Sequence, residues 1–87
     1  MAKRVVKTEI PSFDEPLSVE LLGQFIRARR TQQNIDIPTA AMLCAVSPVT
    51  FHKMEKGAGG VRLATALKIC QQIGIKINIE PWENDDA

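Results

Sequence analysis

Between Ile35 and Gly57 the chain reads I-D-I-P-T-A-A-M-L-C-A-V-S-P-V-T-F-H-K-M-E-K-G, and few architectures accept that stretch. Asp36 followed by Pro38 marks a helix start: a carboxylate accepts the orphan N–H groups of the first turn, and proline lacks the N–H that would be wasted there. Ala40, Leu43 and Cys44 then recur at i, i+3 and i+4 as an inward stripe, with Ile37 one turn earlier, so a short helix ends near Ala45. Ser47 and Pro48 supply a second cap and a second first-helical position. Only Ala45, Val46 and Ser47 stand between the two segments, which leaves room for nothing but a tight corner, with Val46 as the apolar plug between the helices. Two helices joined in this way form a helix-turn-helix.

In the second of these helices Phe51 and Met54 lie three apart and face the core. Ser47, Val49, Thr50, His52 and Lys53 are left on the outer or N-terminal side. A helix presented like this fits a major groove, so double-stranded DNA is the leading candidate ligand. The candidate base-reading residues are Ser47, Thr50, His52 and Lys53, with Pro48 and Val49 available to thymine methyl groups.

Charge distribution fits that reading better than net charge does. The formal balance is only +1. Lys3, Arg4 and Lys7 open the chain, acidic residues follow from Glu9 to Glu20, and Arg27, Arg29, Arg30, Lys53, Lys56 and Arg62 dominate the middle, before Glu80, Glu83, Asp85 and Asp86. Phosphate contacts depend on local cation density, so the middle is what counts. Candidate phosphate contacts are Arg27, Thr39, Lys56, Gly57 and Arg62. The run Gly57, Ala58, Gly59, Gly60 must be a loop, either one that lets backbone N–H groups approach a phosphate or a plain connector.

The 87 residues amount to one modest domain, which buries a small share of its surface and gains from dimerisation. No run of eighteen apolar residues exists and the N-terminus lacks the pattern of a secretory signal, so a soluble, cytoplasmic protein without membrane contact is expected. Cys44 and Cys70 fall on apolar helix faces and read as packing thiols.

Outside the corner, residues 1–16 read as an N-terminal arm, with the part from Lys3 to Ile10 left open between a strand and no fixed structure. Residues 17–74 form the helical domain. Ser18 caps a first helix carrying Leu21, Leu22, Phe25 and Ile26, which runs to about Gln33 and closes on a left-handed Asn34. Leu63, Ala66, Leu67, Cys70 and Ile73 make the stripe of a last helix that Gly74 terminates. Over residues 75–80, Ile75, Ile77 and Ile79 alternate with Lys76, Asn78 and Glu80, a period-two pattern that predicts a strand for dimerisation. Such a strand needs a partner, from a second chain or from the arm near Val5 and Val6. Residues 81–87 form an acidic tail with Trp82, either mobile or packed on the strand or on a partner.

With helix 1, the corner and the M-E-K-G segment in place, the chain resembles the lambda-repressor-like helix-turn-helix family, also called the XRE or Cro/C1 type, over about Leu21 to Ile79. Arg30, Ala40, Val46, Glu55 and Gly57 carry the resemblance. It implies a mainly α, compact domain of four to five helices with one C-terminal β-strand pairing across a dimer, and a structural ion pair between Arg30 and Glu55. The isoleucine-rich strand further resembles the HipB-like antitoxins, small dimeric repressors that bind their own operator and a HipA-like kinase toxin. The chain departs from the family where helix 2 opens with Asp36 and Ile37 rather than a Thr-Gln or Asn-Gln pair, and where Ala45 replaces the usual corner glycine.

Two functions follow as expectations. The first is a sequence-specific transcriptional repressor, dimeric on a palindromic operator with half-sites about one helical turn apart, serving as the antitoxin of a pair that regulates its own operon. The second is a protein-interaction module that neutralises a partner toxin. An enzyme is the weakest reading, because His52 is the only histidine and no cysteine or carboxylate is spaced to work with it. Neither a zinc signature nor a P-loop occurs, and no cofactor and no metal are expected.

Overall fold

The computed structural model describes residues 4–83, so Lys3 of the expected arm and Asp85 and Asp86 of the expected tail lie outside the described residues. Four helices follow in order: α1 (Val19–Gln32), α2 (Ile37–Leu43), α3 (Pro48–Glu55) and α4 (Leu63–Ile73). Each boundary has a chemical cause. The Ser18 hydroxyl accepts the Leu21 N–H at 3.0 Å, and Asp36 Oδ1 accepts the Thr39 N–H at 2.9 Å. Ser47 Oγ accepts the Thr50 N–H at 3.1 Å, with a proline in the first turn of both α2 and α3. Asn34 closes the α1 region with φ 59°, and Gly74 ends α4 with φ 85°.

The core lies between α1, α3 and α4, with α2 laid across α3. Ile26, Phe51 and Ile69 are its largest fully enclosed side chains, with Met54 and the Cys44 and Cys70 thiols packed beside them. Burial raises both thiol pKa values, that of Cys70 to about 11, so both stay protonated and unreactive near neutrality. Gly23 lets α1 touch α3: a Cβ there would sit 2.5 Å from the Met54 carbonyl oxygen and 2.6 Å from that of Glu55. Any other residue at that position would push the third helix away from the first.

Three expectations about burial and pairing need correction. On α2 the inward set is Ala40, Ala41 and Cys44, whereas Leu43 is 55% exposed. Only alanine-sized side chains fit where so short a helix lies directly on α3. On α4 the inward set is Ala66, Ile69, Cys70 and Ile73, leaving Leu63 72% exposed and Leu67 on the surface.

The third correction concerns the strand expected over residues 75–80, because no strand forms among the described residues. Ile75 packs against the core and its N–H closes the end of α4 on the Cys70 carbonyl at 2.8 Å. From Ile77 the chain runs outward without a ladder partner, and Ile79 is 84% exposed. The arm does not supply that partner, because it is anchored to α1 instead. The Thr8 N–H donates to Thr31 Oγ1 at 3.0 Å, and Gln32 Nε2 donates to the Thr8 carbonyl at 2.8 Å. A ladder needs two rows of backbone groups side by side, and one chain brings only one row to this edge.

Candidate nucleic-acid interface

The outer side of α3 is a small, rigid and accessible surface. Ser47, Pro48, Val49, His52 and Lys53 are exposed and Thr50 is half-buried. Ser47 does more than cap: its hydroxyl also donates to Thr50 Oγ1 at 3.0 Å. That pair locks the helix start and leaves the Thr50 hydroxyl proton as the hydrogen-bond donor of the pair still free to turn outward. Pro48 brings no N–H of its own to the first turn, and the apolar Val49, 65% exposed, stands beside the positive end of the helix.

Beneath this face the buried pair of Arg30 and Glu55 fixes α3 to α1. Arg30 Nε donates to Glu55 Oε2 at 2.5 Å and Nη2 donates to Oε1 at 3.0 Å, a two-pronged contact, while Nη1 donates to the Ile35 carbonyl at 2.8 Å. The guanidinium thereby joins the end of α3 to the chain just before α2, so both halves of the corner hang on one side chain. Lys68 Nζ, on α4, donates to the Ala45 carbonyl at 3.3 Å and ties the turn itself. Because Glu55 is consumed internally, no acid of α3 opposes an anion at its outer face.

Two of the exposed cations, Arg27 and Lys56, share one neighbourhood, while Arg29 lies elsewhere, beside Gly74 and Lys76. Arg27, Ile37, His52 and Lys56 surround a shallow hollow of about 100 Å³ whose floor is Arg30 and Glu55. Arg27 and Ile37 also line a larger neighbouring depression with Arg4, Val5, Asp36 and Pro38. The sequence placed Arg4 in an arm of undetermined position, and the docking of Thr8 on Thr31 is what carries it to the start of α2. A threonine in an arm and another at a helix end give no periodic signal, so this proximity was invisible to pattern reading.

The remaining candidates divide. Thr39 is exposed, with its N–H given to Asp36, so its hydroxyl is the group left for a phosphate. Arg62 begins α4 as an exposed cap residue without a side-chain capping bond. The Gly57 N–H donates to the Met54 carbonyl at 3.1 Å and that of Ala58 to the Lys53 carbonyl at 3.1 Å. Gly57 has φ 68° and a Cβ on it would lie 2.8 Å from Glu20 Cα, so closing α3 against α1 accounts for glycine there. Gly59 and Gly60 carry the loop's N–H groups with no acceptor among the described residues. Ile75, Ile77 and Ile79 follow the end of α4, with Ile75 packed on the core and Ile77 beside Leu67.

No family model and no curated relative matches this sequence. Solved structures do match. The architecture is the lambda-repressor-like, XRE-type helix-turn-helix fold. Among the similar structures is the clp gene regulator ClgR from Corynebacterium glutamicum, 27% identical over 71% of this chain and 80% of that one, with a TM-score of 0.60. The restriction-modification controller protein C.AhdI from Aeromonas hydrophila is 26% identical over 67% of this chain and 84% of its own, with a TM-score of 0.59. A chain of the HipA-HipB-O2-O3 complex is matched over its whole length and 82% of this one, with a TM-score of 0.70. Its 18% identity makes that last likeness one of fold alone.

Proposed function

We propose that this protein is a sequence-specific DNA-binding transcriptional repressor that acts as a homodimer on a palindromic operator, and that it is the antitoxin of a toxin–antitoxin pair controlling its own operon. The observation that carries the reading is the acid-free outer face of α3, fixed from behind by Arg30 and Glu55 and bordered by Arg27, His52, Lys53 and Lys56. In this reading α3 enters the major groove, Thr50, His52 and Lys53 address base edges, and Val49 and Pro48 meet thymine methyl groups. Arg27, Thr39, Lys56, Arg62 and the open N–H groups of Gly59 and Gly60 hold phosphates. Gly57 contributes by closing the helix that carries them.

Dimerisation is supported by apolar surface that one chain leaves uncovered. Leu63 and Leu67 of α4 and Ile77 and Ile79 beyond it are exposed, and Leu67, Ile75 and Ile77 line one groove. A second copy pairing its own residues 75–80 with these would complete the missing ladder and present α3 twice.

Titrating labelled duplex from the chain's own promoter against a random duplex, at two salt concentrations, tests the reading. Preference for the promoter and a steep fall of affinity with salt are expected. Equal binding of both duplexes would remove the sequence-specific repressor.

A second reading, a module that neutralises a partner toxin such as a HipA-like kinase, is favoured by the likeness to a chain of a HipA-HipB complex and by the exposed Phe13, Leu17 and Trp82 at the two ends. Co-purification with the product of the adjacent gene, lost on truncation at Glu80, is its expected signature. Regulator and antitoxin are compatible, since α3 and the two ends are different surfaces. No helix among the described residues is long and apolar enough to cross a membrane.

A further inference from the structure

The arm, α1 and the segment after α4 line an open cavity of about 420 Å³. The arm contributes Ile10 and Phe13, α1 contributes Phe25 and Arg29, and the segment after Gly74 contributes Ile75 and Lys76. Helical spacing puts Phe25 and Arg29 on the side of α1 opposite Gly23, which touches α3, so the cavity lies away from the candidate DNA-reading face. Its outer wall is held in place. The Phe13 ring rests on that of Phe25 with centroids 5.2 Å apart, and the arm is pinned upstream by the Thr8 bonds to Thr31 and Gln32.

The charge of this cavity has one sign. Neither Asp nor Glu lines it, whereas Arg29 and Lys76 both do. Arg29 Nε donates to the Ile73 carbonyl at 2.8 Å, which aims the guanidinium across the left-handed Gly74; a Cβ at that glycine would lie 2.9 Å from Nη2. Capping the end of α4 explains the Nε bond and leaves Nη1 and Nη2 without an acceptor among the described residues. Two cations in the lining of an aromatic and aliphatic cavity call for a ligand with an anionic head and an apolar body.

We propose that this cavity binds a small amphipathic monocarboxylate, with the carboxylate on Arg29 and Lys76 and an unbranched chain of about eight to twelve carbons lying between Phe13, Phe25, Ile10 and Ile75. Such a ligand joins the arm to the body of the domain, because Phe13 and Ile10 belong to the arm and the other walls do not.

The test titrates the full chain with decanoate, below its micelle-forming concentration, and in parallel with decanol, followed by calorimetry and by amide NMR shifts. Saturable one-to-one binding of decanoate is expected, with shifts centred on Phe13, Phe25, Gly74 and Ile75, and decanol binding at least about tenfold more weakly. Phe13→Ala and Lys76→Gln, both at exposed positions, should retain the helical circular dichroism of the parent and weaken decanoate about fivefold or more. Equal affinity for acid and alcohol overturns the anion site. Absence of saturable binding, shifts centred on α3, or indifference to both substitutions overturns the cavity as the binding place. No step uses DNA, so failure here and failure of the repressor reading are separate results.

Discussion

The corner between α2 and α3 and the segment after α4 are comparably apolar stretches that settle their backbones in opposite ways. At the corner every constraint is met inside the chain: Asp36 and Ser47 cap their helices, Val46 packs against the core, and Arg30 bridges Glu55 and the Ile35 carbonyl. After Gly74 Ile75 is secured by its bond to Cys70, Ile77 borders the groove beside Leu67, and Ile79 is left exposed. One region is complete within the chain, and the other leaves apolar side chains uncovered. The difference lies in where the complementary groups reside, since both stretches carry clear patterns.

The largest expected effect tests how completely the corner depends on its buried pair. Glu55→Ala leaves the Arg30 guanidinium, 7% exposed, without its carboxylate, and unfolding free energy in urea should fall by about 3–5 kcal/mol. The double variant Arg30→Met with Glu55→Leu should recover most of that, because it removes both charges from the interior. A loss under 1 kcal/mol for Glu55→Ala would mean that the caps and the core hold α3 without the pair.

The core thiol near the corner gives a pH handle of the next size. The Cys70 pKa is about 11 in the fold and 9.0 unperturbed, so the unfolded chain releases this proton first as pH rises. The stability it contributes is full below pH 9 and is lost as pH climbs through 11, a fall of about 2 kcal/mol. Urea titrations at pH 8 and 11 should show Cys70→Ala, though less stable at pH 8, losing less on the way up than the parent. Equal alkaline losses in both would show that the thiol titrates alike in folded and unfolded chains.

Gly23→Ala separates the contribution of close approach from that of charge. Its methyl group has no space beside the Met54 and Glu55 carbonyls, and a cost of about 1–3 kcal/mol is expected. Weaker duplex binding should accompany it, since α3 must shift. Unchanged stability would show that α1 and α3 slide apart freely, against the rigid half of the comparison.

Ala45→Gly asks whether the corner is at its optimum. Ala45 has φ 56°, the left-handed region where a side chain costs about 1–2 kcal/mol, so glycine should stabilise the fold by about 1 kcal/mol once its greater unfolded freedom is counted. Thermal melts would read this as a rise in Tm.

These positions also show what was legible in the sequence. Caps, corner and helix ends were, because Ser18, Asp36, Ser47, Asn34 and Gly74 act on backbone groups within a few residues of themselves. The exact inward faces of α2 and α4 were not. Choosing Leu43 over Ala41 follows from preferring large apolar residues, yet Ala41 is buried because α2 sits so close to α3. On α4 the apolar arc is wider than one core uses, so periodicity gives the helix and leaves its rotation undetermined. For the candidate interface, residue types pointed to α3, but only the hydrogen bonds reveal that Ser47 is tied to Thr50 and that Gly57 spends its N–H on Met54.

The smallest expected effect bears on the unfinished half. Ile79→Lys changes a side chain that touches little within one chain, so at protein concentrations low enough for monomers the unfolding free energy should move by less than about 0.5 kcal/mol. The same substitution should weaken self-association measured by sedimentation equilibrium, because it places two lysine charges, one from each copy, on the apolar row that pairing would bury. A large monomer destabilisation would mean that residues 75–80 already pack within one chain. No change in association would move the dimer contact elsewhere, and the exposed Leu63 and Leu67 of α4 would then be its remaining apolar surface. The two measurements together decide whether the alternating isoleucines encode a strand awaiting its neighbour or only an extended end.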